Sequence, residues 1–171
     1  MHITQETQER HTLSVTVDNE AGILARIAGM FTARGYNIES LTVADITEDS
    51  LVSRITIVTR GSAHVMEQII AQLDRLVPVH SVTDLTTFGP HVERELALVK
   101  VAGTGDHRIE ALRLADVYRA RVVDATTSSF IFEVTGGSDK IDTFVGLMRE
   151  VGLVEVARTG IVAISRGKNP H

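Results

Sequence analysis

The chain of 171 residues has no cysteine, no long apolar run and no block of like charge. Without cysteine it has no disulfide bonds, thiolate nucleophiles or cysteine-ligated metal sites. Its apolar stretches fall well short of the roughly 18 residues that suggest a membrane span. The 17 basic and 22 acidic side chains are interspersed, which argues against a nucleic-acid-binding surface. The first eleven residues are polar and lack the apolar core of a signal peptide, so we expect a cytoplasmic protein.

Motifs of known catalytic sites are missing as well. Gly103-Thr104-Gly105 lacks the third glycine of a dinucleotide-binding loop, and a plain turn is the favoured interpretation. His91-Val92-Glu93 is followed by no cysteines, which removes a zinc-deaminase interpretation. The seven histidines are scattered, and we expect most of them at solvated or half-buried sheet positions. With no nucleophile beside a base, the sequence favours binding over catalysis, and an enzyme acting on amino acids is the weaker alternative.

Residue periodicity predicts the same order of elements twice, strand-helix-strand-strand-helix-strand, which is an α+β fold. In the first half, the first predicted strand ends at Val17, the second runs from about Asn37 to Ile46, and the third and fourth cover 51–59 and 79–88. Ser62 is expected to cap the second helix. In the second half the predicted strands include 121–126, 129–135 and, as the last, 161–164. Its first helix is predicted to bury Ile109, Leu112 and Val117, and its second helix Ile141, Phe144, Val145 and Met148.

Gly89-Pro90 is the clearest boundary signal in mid-chain. We therefore predict a polar tail over 1–10, a first domain over 11–88 and a second domain over 89–171. Each half has about 75 residues, a size at which one helix layer on a sheet is only marginally stable. This favours burial against a partner chain.

The stretch from Val15 to Val43 predicts a strand, a tight turn, a helix and a second strand. Leu24, Ile27, Ala28 and Phe31 recur at helical spacing and predict the buried stripe, and Gly35 is expected at the C′ position.

The turn itself suggests a ligand. The first amides of a helix have no partners within the helix, and Gly22 lets a carboxylate approach them closely. Asn19 and Asn37 supply amides, and Ile23, Leu24 and Ile38 supply an apolar wall, which would suit a small zwitterion with a branched aliphatic side chain. An ordinary strand-helix junction would show the same pattern, and from these residues alone that alternative stays open.

Beyond these patterns, NEAGILARIAGMFTARGYNIESLTVA strongly resembles the signature of the regulatory (small) subunits of acetohydroxyacid synthase, also called acetolactate synthase. The resemblance continues through HVERELALVKV at 91–101, RVVDAT at 121–126, FEVTGGSDKID at 132–142 and VEVARTGIVAISRG at 154–167. It covers roughly residues 10–167 in the expected order.

The resemblance implies two ferredoxin-like βαββαβ domains in tandem, of which the first is an ACT domain. In this family ACT domains pair side by side as a homodimer, and a branched-chain amino acid, usually valine, binds at their interface. Leucine and isoleucine stay open as alternative effectors, because each differs from valine by a single methylene. The small subunit has no catalytic residues or cofactor of its own. It activates a catalytic (large) subunit that holds thiamine diphosphate, FAD and Mg²⁺, and it confers feedback inhibition by valine.

By position, the resemblance assigns the effector-binding turn to six consecutive residues, Asn19, Glu20, Ala21, Gly22, Ile23 and Leu24. It assigns the neighbouring subunit's contribution to Asn37 and Ile38. Ala21 stands where relatives often have proline at the first helical position, so we expect a slightly looser turn. The remaining alternative is a free-standing ACT-domain amino-acid sensor with a different client enzyme.

Overall fold

The computed structural model describes residues 7–168, which form two compact units. The first unit contains the described residues up to Val92 and those from Ile161 onward, and the second is Glu93–Gly160. The elements are β1 (Glu9–Asp18), α1 (Ile23–Ala33), β2 (Ile38–Asp45), β3 (Val52–Gly61), α2 (Ala63–Asp74), β4 (Val79–Asp84), α3 (Leu85–Phe88), β5 (His91–Ala102), α4 (Gly105–Val117), β6 (Arg121–Ala125), β7 (Ser129–Gly136), α5 (Ser138–Glu150), β8 (Leu153–Arg158) and β9 (Val162–Ser165).

The first unit is built on an antiparallel sheet with the strand order β2-β3-β1-β4, which leaves β2 as an edge strand. In the register of β1 with β3, Leu13 lies opposite Ile57 and Val15 opposite Ile55, and all four side chains are fully buried. Helices α1 and α2 pack on these residues and complete the core. This order of elements confirms the predicted βαββαβ arrangement.

Helix α1 buries Ile23, Ile27 and Phe31 in this core, whereas Leu24 remains 39% exposed. The predicted stripe was therefore wrong at Leu24. Because α1 begins at Ile23, its inward line runs through every fourth residue from that position, and Leu24 is turned to the side.

The ends of the helices follow their predicted signals. Gly35 has φ of 69° at the C′ position of α1, and the amide of Tyr36 donates to the carbonyl of Phe31 at 2.9 Å. Ser62 caps α2 by accepting from the amide of Val65. Both signals are confirmed.

Strand β4 ends earlier than the predicted 79–88, because Asp84 stops it. The Asp84 carboxylate accepts from the amide of Thr86 at 3.0 Å and caps the short helix α3. The other carboxylate oxygen lies 2.7 Å from Nδ1 of His11, which is only 3% exposed. His11 is thus a buried histidine and an exception to the expectation that most histidines are solvated or half-buried.

The second unit repeats the topology, with the strand order β6-β7-β5-β8 and helices α4 and α5. Helix α5 buries the four residues predicted for it. Helix α4 does not, since it buries Ala111 and Ala115 and exposes Ile109, Leu112 and Val117. Alanine at the contact positions lets the helix backbone approach the core closely, and the larger side chains then point to solvent.

The final segment of the chain, Ile161–Ser165, belongs to the first unit, and we call it the C-terminal strap. Ser40 accepts from the amide of Ile161 at 2.8 Å, and Thr42 donates to its carbonyl at 2.9 Å. Ser40 and Thr42 alternate along β2 with Leu41, which packs on the helix-covered core. Ile161 therefore lies on the opposite face of the sheet. The predicted last strand is present as β9, which pairs with β5, and the contacts of Ile161 with β2 were not predicted.

Candidate functional site

The turn between β1 and α1 is shaped by Gly22, which has φ of 89° and ψ of −3° and precedes the first helical residue. A Cβ on Gly22 would meet no atom within 4 Å, so the space in front of the turn is open. Ala21 lies two positions before α1 begins rather than at its first position, and the proline comparison therefore concerns the turn and not the helix. The turn combines a left-handed backbone with free space for a ligand.

The first turn of α1 has no side-chain cap. The first intrahelical bond runs from the amide of Arg26 to the carbonyl of Gly22 at 3.0 Å. The nearby Glu20 carboxylate is held by the Arg26 guanidinium at 3.0 Å and does not cap the helix. The amide of Ile23 donates to the carbonyl of Glu20 at 3.4 Å, whereas the amides of Leu24 and Ala25 have no partner among the described residues. These two amides and the helix dipole make this end suited to an anion such as a carboxylate.

Asn19 has a defined orientation in the turn. Its backbone amide donates to the carbonyl of Leu51 at 2.8 Å. Its side-chain Nδ2 donates to the carbonyl of Ser50 at 2.9 Å and to Oδ1 of Asp45 at 3.2 Å. Asp45 also accepts from the hydroxyl of Ser53 at 2.9 Å. The turn is thus fastened to the hairpin that joins β2 and β3.

The apolar residues of the candidate site divide into two groups. Ile23 is only 5% exposed and belongs to the core of the first unit, so its side chain is committed to packing. Leu24 is exposed beside the turn, and Ile38 is half-buried at the start of β2. Leu24 and Ile38 are the two that keep surface available for an aliphatic ligand.

Asn37 and Ile38 lie far from the turn within the chain. Ile38 is opposite Thr59 of β3, and the carbonyl of Asn37 accepts from the hydroxyl of Thr59 at 2.6 Å. The turn is at the other end of the sheet, where Asp45 lies opposite Ser53. The six residue steps from Ser53 to Thr59 span roughly 20 Å at about 3.3 Å each. The eight predicted site residues therefore form two separate groups in one chain.

Among residues 7–168, no three histidine, aspartate or glutamate side chains lie close enough to hold a metal ion. In the second unit the Arg158 guanidinium binds both oxygens of the buried Glu95, at 2.5 and 2.8 Å, and Asp142 at 2.6 Å. The bonds to Glu95 are the main reason why the pKa of Arg158 is raised. In the same described range, no helix has the length and apolar character needed to cross a membrane.

Each of the two units matches a known protein family. Residues 13–81 match the family model of the AHAS small subunit-like ACT domain, and residues 94–167 match that of the small subunit of acetolactate synthase. The acetolactate synthase isozyme 3 small subunit of Escherichia coli is 47% identical over 92% of this chain and 96% of its own length. The chain belongs to the acetolactate synthase small-subunit family.

Other members of the acetolactate synthase small-subunit family are similar to this chain over nearly its whole length. The acetolactate synthase small subunit of Haemophilus influenzae is 44% identical over 93% of this chain and 97% of its own length. The crystal structure of the small subunit from Thermotoga maritima superposes with a TM-score of 0.84 at 35% identity, covering 94% of this chain and 99% of that one. The fold is therefore an ACT domain followed by a second domain of related topology.

Sequence reasoning missed the residues that hold Asn19 in place. Asp45, Ser50 and Ser53 come more than 25 residues later in the chain, and no local pattern connects them with the turn. The polar run TEDS at 47–50 predicted the hairpin, which is confirmed, but not that the hairpin would carry an acceptor for Asn19.

Proposed function

We propose that this chain is a non-catalytic regulatory subunit that binds the catalytic subunit of acetolactate synthase, raises its activity and makes it sensitive to branched-chain amino acids, valine above all. Thiamine diphosphate, FAD and Mg²⁺ belong to that catalytic partner. Membership in the small-subunit family supports the partner, and the open, uncapped turn at Gly22 supports the effector.

The separation between the two groups of site residues carries the proposal of a shared site. A free amino acid is only a few ångströms long, whereas Asn37 lies roughly 20 Å from the turn along β3. One chain therefore cannot place both groups around one ligand. A second copy is needed to complete the site.

The edge strand β2 provides a way to bring the second copy in. A two-fold pairing of two such edges is antiparallel, so that the start of one strand lies beside the end of the other. The end of β2 is Asp45, which holds Asn19. Side-by-side pairing would thus place Asn37 and Ile38 of one chain beside the turn of the other. It would also cover a sheet edge that pairs with no other strand of the described part of the chain.

The chemistry of the completed site fits an aliphatic amino acid. The amides at the start of α1 would receive the carboxylate, and the side-chain amides of Asn19 and Asn37 would bind polar groups of the ligand. Leu24 and Ile38 would contact its branched side chain. Because one methylene in an apolar pocket is worth about 1–3 kcal/mol, we expect valine, leucine and isoleucine to bind with related affinities.

Reconstitution tests the proposed function. Purified catalytic subunit is assayed for acetolactate formation from pyruvate, alone and with this chain, over a titration with each branched-chain amino acid. We expect this chain to raise the rate and valine to lower it again in the mixture but not with the catalytic subunit alone. A free-standing sensor would bind valine without changing the rate. Acetolactate formed by this chain alone would favour the enzyme interpretation.

A further inference from the structure

The hydrogen bonds of Asn19 determine which of its side-chain atoms can meet a ligand. The carbonyl of Ser50 and the carboxylate of Asp45 are both acceptors, so the NH₂ group must face them. Rotating the amide by 180° would set its oxygen against two other oxygens. The contacts thus occupy both N–H donors and leave the oxygen Oδ1 for a ligand.

Asp45 is itself held by the sheet. The hydroxyl of Ser53, which is only 2% exposed, donates to the same carboxylate oxygen that accepts from Asn19. Asp45 and Ser53 face each other in the register of β2 with β3. A buried hydroxyl therefore fixes the carboxylate, and the carboxylate fixes the amide of Asn19.

We infer that Asp45 is a positioning residue that turns the carbonyl oxygen of Asn19 toward the ammonium group of the effector, and so selects α-amino acids over carboxylic acids of the same shape. The inference rests on the proposed function, because it deepens the same site. A carbonyl oxygen can accept from an ammonium but cannot donate to a carboxylate. This fixes the orientation of the ligand, with its carboxylate on the α1 amides and its ammonium group at Asn19.

Binding of two ligands distinguishes a positioning role of Asp45 from a role in supporting the fold alone. Valine carries both charged groups, and 3-methylbutanoate has the same skeleton without the ammonium. Replacing Asp45 by alanine leaves the Ser50 carbonyl as the one acceptor for the Asn19 NH₂ group and loosens the orientation of the amide. We expect valine binding to weaken by up to about tenfold, the scale for loss of one hydrogen bond to a charged group. The dissociation constant of 3-methylbutanoate, measured by its displacement of valine, should be the same in Asp45→Ala as in wild type. Calorimetric titration of the full-length chain measures both.

The hairpin offers a matched control in Asp49. This carboxylate lies in the same turn and accepts from the amide of Leu51, and hydrogen bonding from Thr47 is the main reason why the pKa of Asp49 lies below its usual value. Asp49→Ala therefore removes the same charge without touching Asn19, and valine binding should stay within about twofold of wild type. Asp45→Asn keeps an acceptor of the same shape and should restore binding to within about twofold.

A double-mutant cycle completes the test. If Asp45 acts through Asn19, the Asn19→Ala/Asp45→Ala variant should bind valine no more weakly than Asn19→Ala alone. Additive losses, or an equal loss for both ligands in Asp45→Ala, would overturn the positioning role. If Asn19→Ala weakens valine and Asp45→Ala does not, only this inference fails. If the wild-type chain binds no branched-chain amino acid, the proposed function itself fails.

Discussion

Replacing Gly22 by aspartate tests whether the ligand's carboxylate docks on the first turn of α1. The new carboxylate would occupy the space in front of the helix amides, where no atom lies within 4 Å of a Cβ. The left-handed backbone at φ of 89° costs a side chain about 1–2 kcal/mol, and aspartate tolerates it better than most residues. Its favourable interaction with the helix dipole returns about 0.3–1 kcal/mol. The variant should therefore fold.

The effect on binding comes from repulsion between two like charges. At a separation of roughly 5 Å and an effective dielectric constant of about 20–40, the repulsion is about 2–3 kcal/mol. Since about 1.4 kcal/mol corresponds to a factor of ten, valine should bind roughly 30- to 150-fold more weakly. Stimulation of the catalytic subunit should persist, because the substitution removes no contact in the second unit.

Gly22→Asn is the matched control, since it has the same shape and the same tolerance of the left-handed backbone without the charge. Calorimetric titration with valine and thermal unfolding by circular dichroism compare the three proteins. We expect Gly22→Asn to keep most of the affinity. Equal losses in Gly22→Asn and Gly22→Asp, or wild-type affinity in Gly22→Asp, would refute docking of the carboxylate at this turn.

Two further predictions concern contacts that hold each unit. Ser40→Ala and Thr42→Val each remove one hydrogen bond to Ile161. Each should lower the free energy of unfolding, measured by urea denaturation, by about 1 kcal/mol. Unchanged stability in both variants would show that the strap does not stabilise the first unit. Arg158→Met leaves the buried Glu95 carboxylate without its bidentate partner and should lower the free energy of unfolding by about 1–3 kcal/mol. If the unpaired charge causes this loss, the Glu95→Gln/Arg158→Met variant should recover part of it.

The sequence was most informative where one local interaction decides the structure. The helix ends at Gly35 and Ser62 follow from glycine's access to positive φ and from the acceptor of a serine side chain. The order of strands and helices follows from periodicity, because alternation and helical spacing directly encode which face is buried.

The sequence was least informative where packing decides. In α4 the apolar pattern pointed to Leu112, whereas the close approach of helix and core selects Ala111 and Ala115. The strap was predicted as the last strand of the second half, and β9 does pair with β5, but the hydrogen bonds of Ile161 to β2 could not be predicted. These features depend on contacts between residues far apart in the chain.

In the candidate site the sequence predicted the local features and missed the contacts between distant residues. Local residues were enough to predict an open turn with Gly22 at the start of a helix. The predicted wall included Ile23, whose side chain is buried in the core of the first unit. The network that orients Asn19 could not be predicted, since its acceptor Asp45 lies 26 residues away and comes close only through the sheet register.

The central claim is that two copies of the chain complete each effector site, with the turn from one and the strand start from the other. Asn19→Ala and Asn37→Ala should each weaken valine binding about tenfold to hundredfold in homodimers, as expected for loss of a hydrogen bond to a charged group. Two kinds of heterodimer, prepared by co-expression with two affinity tags, then separate a shared site from a site within one chain.

The deciding measurement is the number of tight valine sites per heterodimer by calorimetric titration. When one chain carries Asn19→Ala and the other Asn37→Ala, a shared site leaves one intact combination, and we predict one tight site. When one chain carries both substitutions and the other is wild type, a shared site leaves none, and we predict no tight site. The reverse result, no tight site in the first heterodimer and one in the second, would show that each chain binds the amino acid alone and would contradict the account.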